Sequence, residues 1–163
     1  MDGPYLVVLR RFNRFGVRYV VVGMAGINYY AKGPADTFAS LDFDLFVEPT
    51  LQNVDAAVRA LRPLGVTLAT ADGVLAPDGI KTVVRDRRTL IATTPEGLTI
   101  ELLLKISGYP FAALAKDAAT FNVRGVPVKV GRLHKLLRSK QLAGRPKDLA
   151  FLRRYRQLLQ DTK

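Results

Sequence analysis

The chain has 163 residues, of which 48% are hydrophobic, and 25 Lys/Arg against 14 Asp/Glu give a net charge of +11. That length suits one domain, or one domain with an appendage, and the apolar content is enough for a core, which argues against disorder of the whole chain. With no Cys and one His, His134, disulfides, thiolate metal sites and clustered-His zinc sites are excluded, and a His-based triad is disfavoured.

The first five residues lack the basic start and the small-residue cleavage pattern of a signal peptide. No apolar run approaches the roughly 18 residues that span a bilayer. A soluble, cytoplasmic protein with no membrane contact is expected. Residues 5–15 put Tyr5, Val8, Leu9, Phe12 and Phe15 at helical spacing, and Gly16 stops the helix. The β-branched run 18–22 predicts a buried strand. Gly23-Met24-Ala25-Gly26 turns the chain, 27–31 begins a helix, and 32–40, with Gly33 and Pro34, is a loop. A second strand covers 42–47. Thr50 caps a helix over 51–64, with Val54, Ala57, Val58, Leu61 and Leu64 on its inner face and Pro63 and Gly65 at its end. Short extended pieces follow at 66–69, 82–84 and 89–93. In the strand at 98–106, Thr99, Glu101 and Leu103 share one face and Ile100, Leu102 and Leu104 the other. A short helix at 111–118, a hairpin over 120–130 around Arg124-Gly125, and helices at 131–142 and 146–159 complete the order. The expected architecture is mixed α/β: a core over 1–130 built on a mixed sheet with flanking helices, and a basic C-terminal helical pair over 131–163 packed on it.

The charge is unevenly spread. From residue 132 to the end, ten Lys/Arg stand against only Asp148 and Asp161. Such a segment reads as an electrostatic footprint for a polyanion; a solvated helical face that keeps the protein soluble is the alternative.

The most informative stretch is Ser40-Leu41-Asp42-Phe43-Asp44-Leu45-Phe46-Val47. On a strand, Asp42 and Asp44 share one face, and Phe43, Leu45 and Val47 share the other. Paired carboxylates in a half-buried strand repel each other and lose hydration. A divalent cation relieves both costs, and Mg²⁺ takes oxygen ligands. A strand with one wet face is the plainer reading of two such acids. Glu101, inside an apolar run, is a third acid that needs a partner if buried.

Four pieces in order resemble the nucleotidyltransferase superfamily, the minimal fold of DNA polymerase beta-like enzymes, and within it the bacterial toxin-type and abortive-infection group. They are Tyr19-Val20-Val21-Val22-Gly23; Ser40-x-Asp42-x-Asp44; Ile100-Glu101-Leu102-Leu103; and Ser139-Lys140-x-x-x-x-Arg145-x-Lys147-Asp148. The resemblance covers nearly the whole chain. It implies that Asp42 and Asp44 bind Mg²⁺ or Mn²⁺ and that Glu101 completes the metal and catalytic site, where the family more often has Asp. It implies that Gly23 and Met24, in place of the usual Gly-Gly or Gly-Ser, lie by the nucleotide, with Lys140 and Arg145 beside its phosphates or anchoring the tail. Asp148 is then the partner of a basic neighbour. The implied activity is transfer of a nucleoside monophosphate from an NTP to an acidic macromolecule, tRNA first among RNA acceptors, by a toxin held by an antitoxin protein. The alternative is a weakened member of the fold that binds RNA or a protein partner. Hydrolysis of a phosphodiester by the same acids is a third option.

Overall fold

Strand formation here follows the β-branched and aromatic runs, and the two central strands carry the acids. The computed structural model describes residues 3–33 and 42–161. The predicted loop beyond Gly33, together with Ser40 and Leu41 of the acidic motif, lies outside the described residues. Eight strands form one mixed sheet: β1 (Tyr19–Val21), β2 (Asp42–Val47), β3 (Thr67–Thr70), β4 (Gly73–Val74), β5 (Leu90–Thr93), β6 (Thr99–Leu103), β7 (Ala119–Val123) and β8 (Val126–Val130). Their order across the sheet is β4-β3-β5-β6-β2-β1-β8-β7. β2 runs antiparallel to β1 and parallel to β6. Seven helices complete the described chain: α1 (Pro4–Arg14), α2 (Gly23–Asn28), α3 (Leu51–Leu61), α4 (Ile80–Arg85), α5 (Phe111–Ala115), α6 (Leu133–Ala143) and α7 (Pro146–Asp161). The expected mixed α/β class, with its mixed sheet, flanking helices and C-terminal helical pair, is the observed one.

The two faces of β2 are dressed differently. Phe43 meets Tyr5 of α1 at a ring separation of 4.6 Å, and Phe46, on the opposite face, meets Phe111 of α5 at 5.4 Å. Leu45, Val47, Ile100 and Leu102 are fully buried, so the predicted alternation on β2 and β6 holds. At the far end of β2, Thr50 caps α3 by accepting from the Asn53 backbone N–H at 3.2 Å. The buried Asn53 side chain accepts from the Arg18 N–H and donates to the Arg18 and Glu48 carbonyls. These bonds tie α3 to β1 and β2 through one fully satisfied amide.

Four local expectations are corrected. The glycine turn is not a separate link before a helix at 27–31: α2 starts at Gly23 itself, because one residue at φ +66° reverses the chain. The helix expected over 51–64 ends at Leu61 and tightens into a 3-10 turn, Arg62–Leu64, where Pro63 has no N–H to continue the ladder. Residues 82–84 are helical, inside α4, because Val83 is buried in packing that overrides β propensity. The strand expected over 98–106 stops at Leu103, and β4, two residues long, leaves no periodic signal. The 120–130 hairpin forms as expected, with Arg124 at φ 50° and Gly125 at φ 82°, the paired positive values of a two-residue hairpin turn.

Candidate active site

In the parallel register of β2 and β6, Asp44 is the direct partner of Glu101, and Asp42 is the partner of Thr99. Neighbouring strands lie about 4.8 Å apart, so two carboxylates in register are forced together on one face. The consequence is large for Asp44. Burial pushes its carboxyl up to about 7, helped by the Glu101 charge, by the hydrogen bond its proton makes with Glu101, and by Asp42; Lys140 pulls the other way. Its Oδ1 is buried and has no hydrogen-bond partner. A buried unpaired carboxylate oxygen is costly.

Gly23 closes over this oxygen pair. A Cβ there would sit 2.5 Å from Asp44 Oδ2, and the φ of +66° already disfavours any other residue. The Val22 N–H donates to the Asp44 carbonyl at 3.0 Å, which fixes the bend against β2. Gly26 allows the next close approach: its Cβ would lie 2.9 Å from the Val21 carbonyl and 3.0 Å from Leu136 of α6. Thus α2 and α6 pack tightly beside the acids.

A cleft of about 430 Å³ opens there, lined by Gly23, Asp44, Lys105, Ser139, Lys140 and Arg145 among others. Of the expected site residues, Gly23, Asp44, Lys140 and Arg145 therefore share one cavity. Glu101 does not line it; it stands behind Asp44 as its partner in the strand register. Asp42 is exposed at the start of β2, where its charge still acts on Asp44. Met24 does not line the cleft; it is partly buried and packs on the core. Among the described residues no group of three His, Cys, Asp or Glu stands ready-made around one metal position; the acids are an apposed pair plus one exposed neighbour.

The cations of the cleft are held by a buried acid. Asp148, 1% exposed, accepts from Arg145 Nε at 2.7 Å and Nη2 at 3.2 Å, and lies 3.6 Å from Lys140 Nζ. Burial pulls the Asp148 carboxyl upward, but the Arg145 hydrogen bonds and the charges of Arg145 and Lys140 prevail and hold it below its usual value. Burial draws the Lys140 ammonium down, against Asp148 and Asp44. Its Nζ also rests 5.0 Å from the centre of the Phe151 ring. Asp148 is thus the structural partner of basic neighbours, as expected.

Lys105 is the lining residue that sequence reasoning passed over. It is exposed and makes no ion pair among the described residues. The signal was present: Lys105 follows Glu101 and Leu103 at a spacing of two and continues the same face past the end of β6. Ser139 donates to the Ser107 carbonyl at 2.7 Å, which pins α6 to the loop after β6.

The donor set fits a hard divalent cation. Asp44 and Glu101 offer only oxygen, Asp44 Oδ1 is orphaned, and Gly23 brings no side chain against Asp44 Oδ2. Among the described residues no helix is long and apolar enough to cross a membrane. No protein-family model and no curated protein matches the chain.

Proposed function

We propose that the chain is a metal-dependent nucleotidyltransferase that moves a nucleoside monophosphate from an NTP to an RNA acceptor such as tRNA. The observation that carries this reading is Asp44, in register with Glu101, at the wall of a cleft that also holds Lys105, Lys140 and Arg145. Negative and positive groups are separated within one cavity, as a reaction on a triphosphate requires.

Asp44 and Glu101, with Asp42 two residues away at the strand end, would hold Mg²⁺ or Mn²⁺. When bound, the cation supplies countercharge to these carboxylates and to phosphate oxygens. The residues of the chain account for the remaining work. Gly23 leaves room for the α-phosphate beside Asp44. Glu101 accepts the hydrogen bond of the acceptor hydroxyl and takes its proton as the new oxygen–phosphorus bond forms. The bond from the α-phosphorus to the bridging oxygen breaks, and Lys105, Lys140 and Arg145 meet the charge that collects on the departing pyrophosphate. Asp148 keeps Lys140 and Arg145 oriented.

The test is label transfer from α-labelled NTPs to total tRNA with Mg²⁺. Label should move with release of pyrophosphate, and Asp44→Asn should abolish it. Transfer that survives Asp44→Asn would rule out this mechanism. A second reading, a non-catalytic RNA- or protein-binding module, draws on the exposed position of Asp42 and the lack of a ready-made three-acid group among the described residues; it expects no transfer with any NTP.

A further inference from the structure

The cations of α6 and α7 fall into two sets. Those facing the cleft and the core are matched by acids: Lys140 and Arg145 by Asp148, and Lys135 by Asp117 at 2.9 Å. On the outer side, Arg138 and Arg156 have no such match among the described residues. There, a groove of about 320 Å³ between the two helices is lined by His134, Arg138 and Gln141 from α6 and by Leu152, Tyr155 and Arg156 from α7. No acid lines it. Arg138 donates to Gln141 at 3.2 Å, and neither Arg138 nor Arg156 makes an ion pair among the described residues. Lys147 and Arg153 add exposed positive charge on α7.

We propose that this groove docks RNA, gripping its phosphodiester backbone and stacking an unpaired base on Tyr155. The proposal rests on the nucleotidyltransferase reading only in making the docked RNA the acceptor. A solvated helix face kept for solubility intersperses charges of both signs. Among the described residues this groove carries charge of one sign only. Its cations are arginines, whose planar fork grips phosphate by two hydrogen bonds and stacks on bases. The half-buried Tyr155 ring lies at 30° to Phe151 with centroids 6.0 Å apart, so packing braces it as a stacking surface. An acidic polypeptide would satisfy the charge but would leave the aromatic wall unused. Helix α6 links the groove to the cleft, since His134, Arg138 and Gln141 occupy one side of it and Ser139 and Lys140 another.

The test is fluorescence anisotropy with labelled oligouridylate and with tRNA, across a salt series. The variants are Arg138→Glu/Arg156→Glu and, as control, the exposed pair Arg14→Glu/Arg62→Glu; thermal melts verify that each is folded. Wild type should bind RNA. The groove variant should bind about tenfold more weakly at moderate salt, with the salt slope reduced by about 1.4 for two lost single-strand phosphate contacts. The control should stay within about twofold of wild type. Arg138→Gln/Arg156→Gln should show the same loss, and replaces the reversal if that variant fails to fold. RNA binding unchanged in the groove variants, equal loss in the control, or binding of polyglutamate as tight as that of RNA would each overturn the proposal. Failure of the catalytic reading looks different: RNA still binds through the groove, but no NTP label is transferred to it.

Discussion

Asp44 on β2 and Asp148 on α7 both feel the charge of Lys140, yet their surroundings drive them in opposite directions. Asp148 is almost wholly buried, but Arg145 and Lys140 hold it ionised. Asp44 faces Glu101 across a parallel register, has a buried oxygen with no partner, and is pushed up to about 7. One carboxylate is a finished structural joint. The other is an unfinished one that a cation would complete. Buried polar groups elsewhere follow the first pattern; Asn53 satisfies its amide at three backbone positions. A buried carboxyl perturbed in this way at the wall of a cleft marks a candidate functional site.

The sharpest way to break this contrast is to neutralise Asp44. Asp44→Asn should lower transfer by several orders of magnitude and yet raise the melting temperature of the metal-free protein at pH 8, because it removes a repulsion. Coincident loss of activity and stability would assign Asp44 to ordinary structure.

Next in size is the pH dependence of stability without metal. The native chain holds the Asp44 proton up to about pH 7, whereas the unfolded chain releases it near 4. The native state therefore binds more protons between those values, and stability should fall as pH rises from about 4 to 7, by on the order of 2–4 kcal/mol, and then level off. Denaturant melts with and without 5 mM Mg²⁺ (about that concentration) check it, since Mg²⁺ should recover most of the loss at pH 8 and little at pH 5. A Mg²⁺ effect equal at both values would contradict the assignment.

Asp148 should show the reverse sign. Its stabilisation is present above the usual carboxylate value and is lost as pH falls below about 4. Asp148→Asn should cost about 1–3 kcal/mol in urea melts, less than for a pair sealed from water because the Arg145 side chain is 59% exposed. The smallest effect is expected from Asn53→Ala, about 1–2 kcal/mol by the same melts with transfer unchanged, since the joint it ties lies at the opposite end of β2.

Much of this contrast was legible in the chain itself. The spacing of Asp42, Asp44 and Glu101 among apolar residues marks the acidic face, because strand periodicity alone sorts the side chains. The charge run after Arg132 marks the basic helices. What spacing does not give is register: that Asp44, not Asp42, stands opposite Glu101 depends on how β2 and β6 slide together. The helical 82–84 segment was hidden for a related reason, since packing around Val83 outweighed local propensity, and the start of α2 turns on the +66° φ of Gly23, which spacing does not report. Met24 was expected by the nucleotide from its place after Gly23, but the first turn of α2 carries it toward the core.

The most direct test of the central claim is a titration of Mn²⁺ into the metal-free protein at pH 8, followed by electron paramagnetic resonance of the free ion. Wild type should take up the ion, and both Asp44→Asn and Glu101→Gln should weaken it by about tenfold or more. Undiminished uptake by both variants would contradict the account, because the ion would then be held by groups other than the paired acids of β2 and β6.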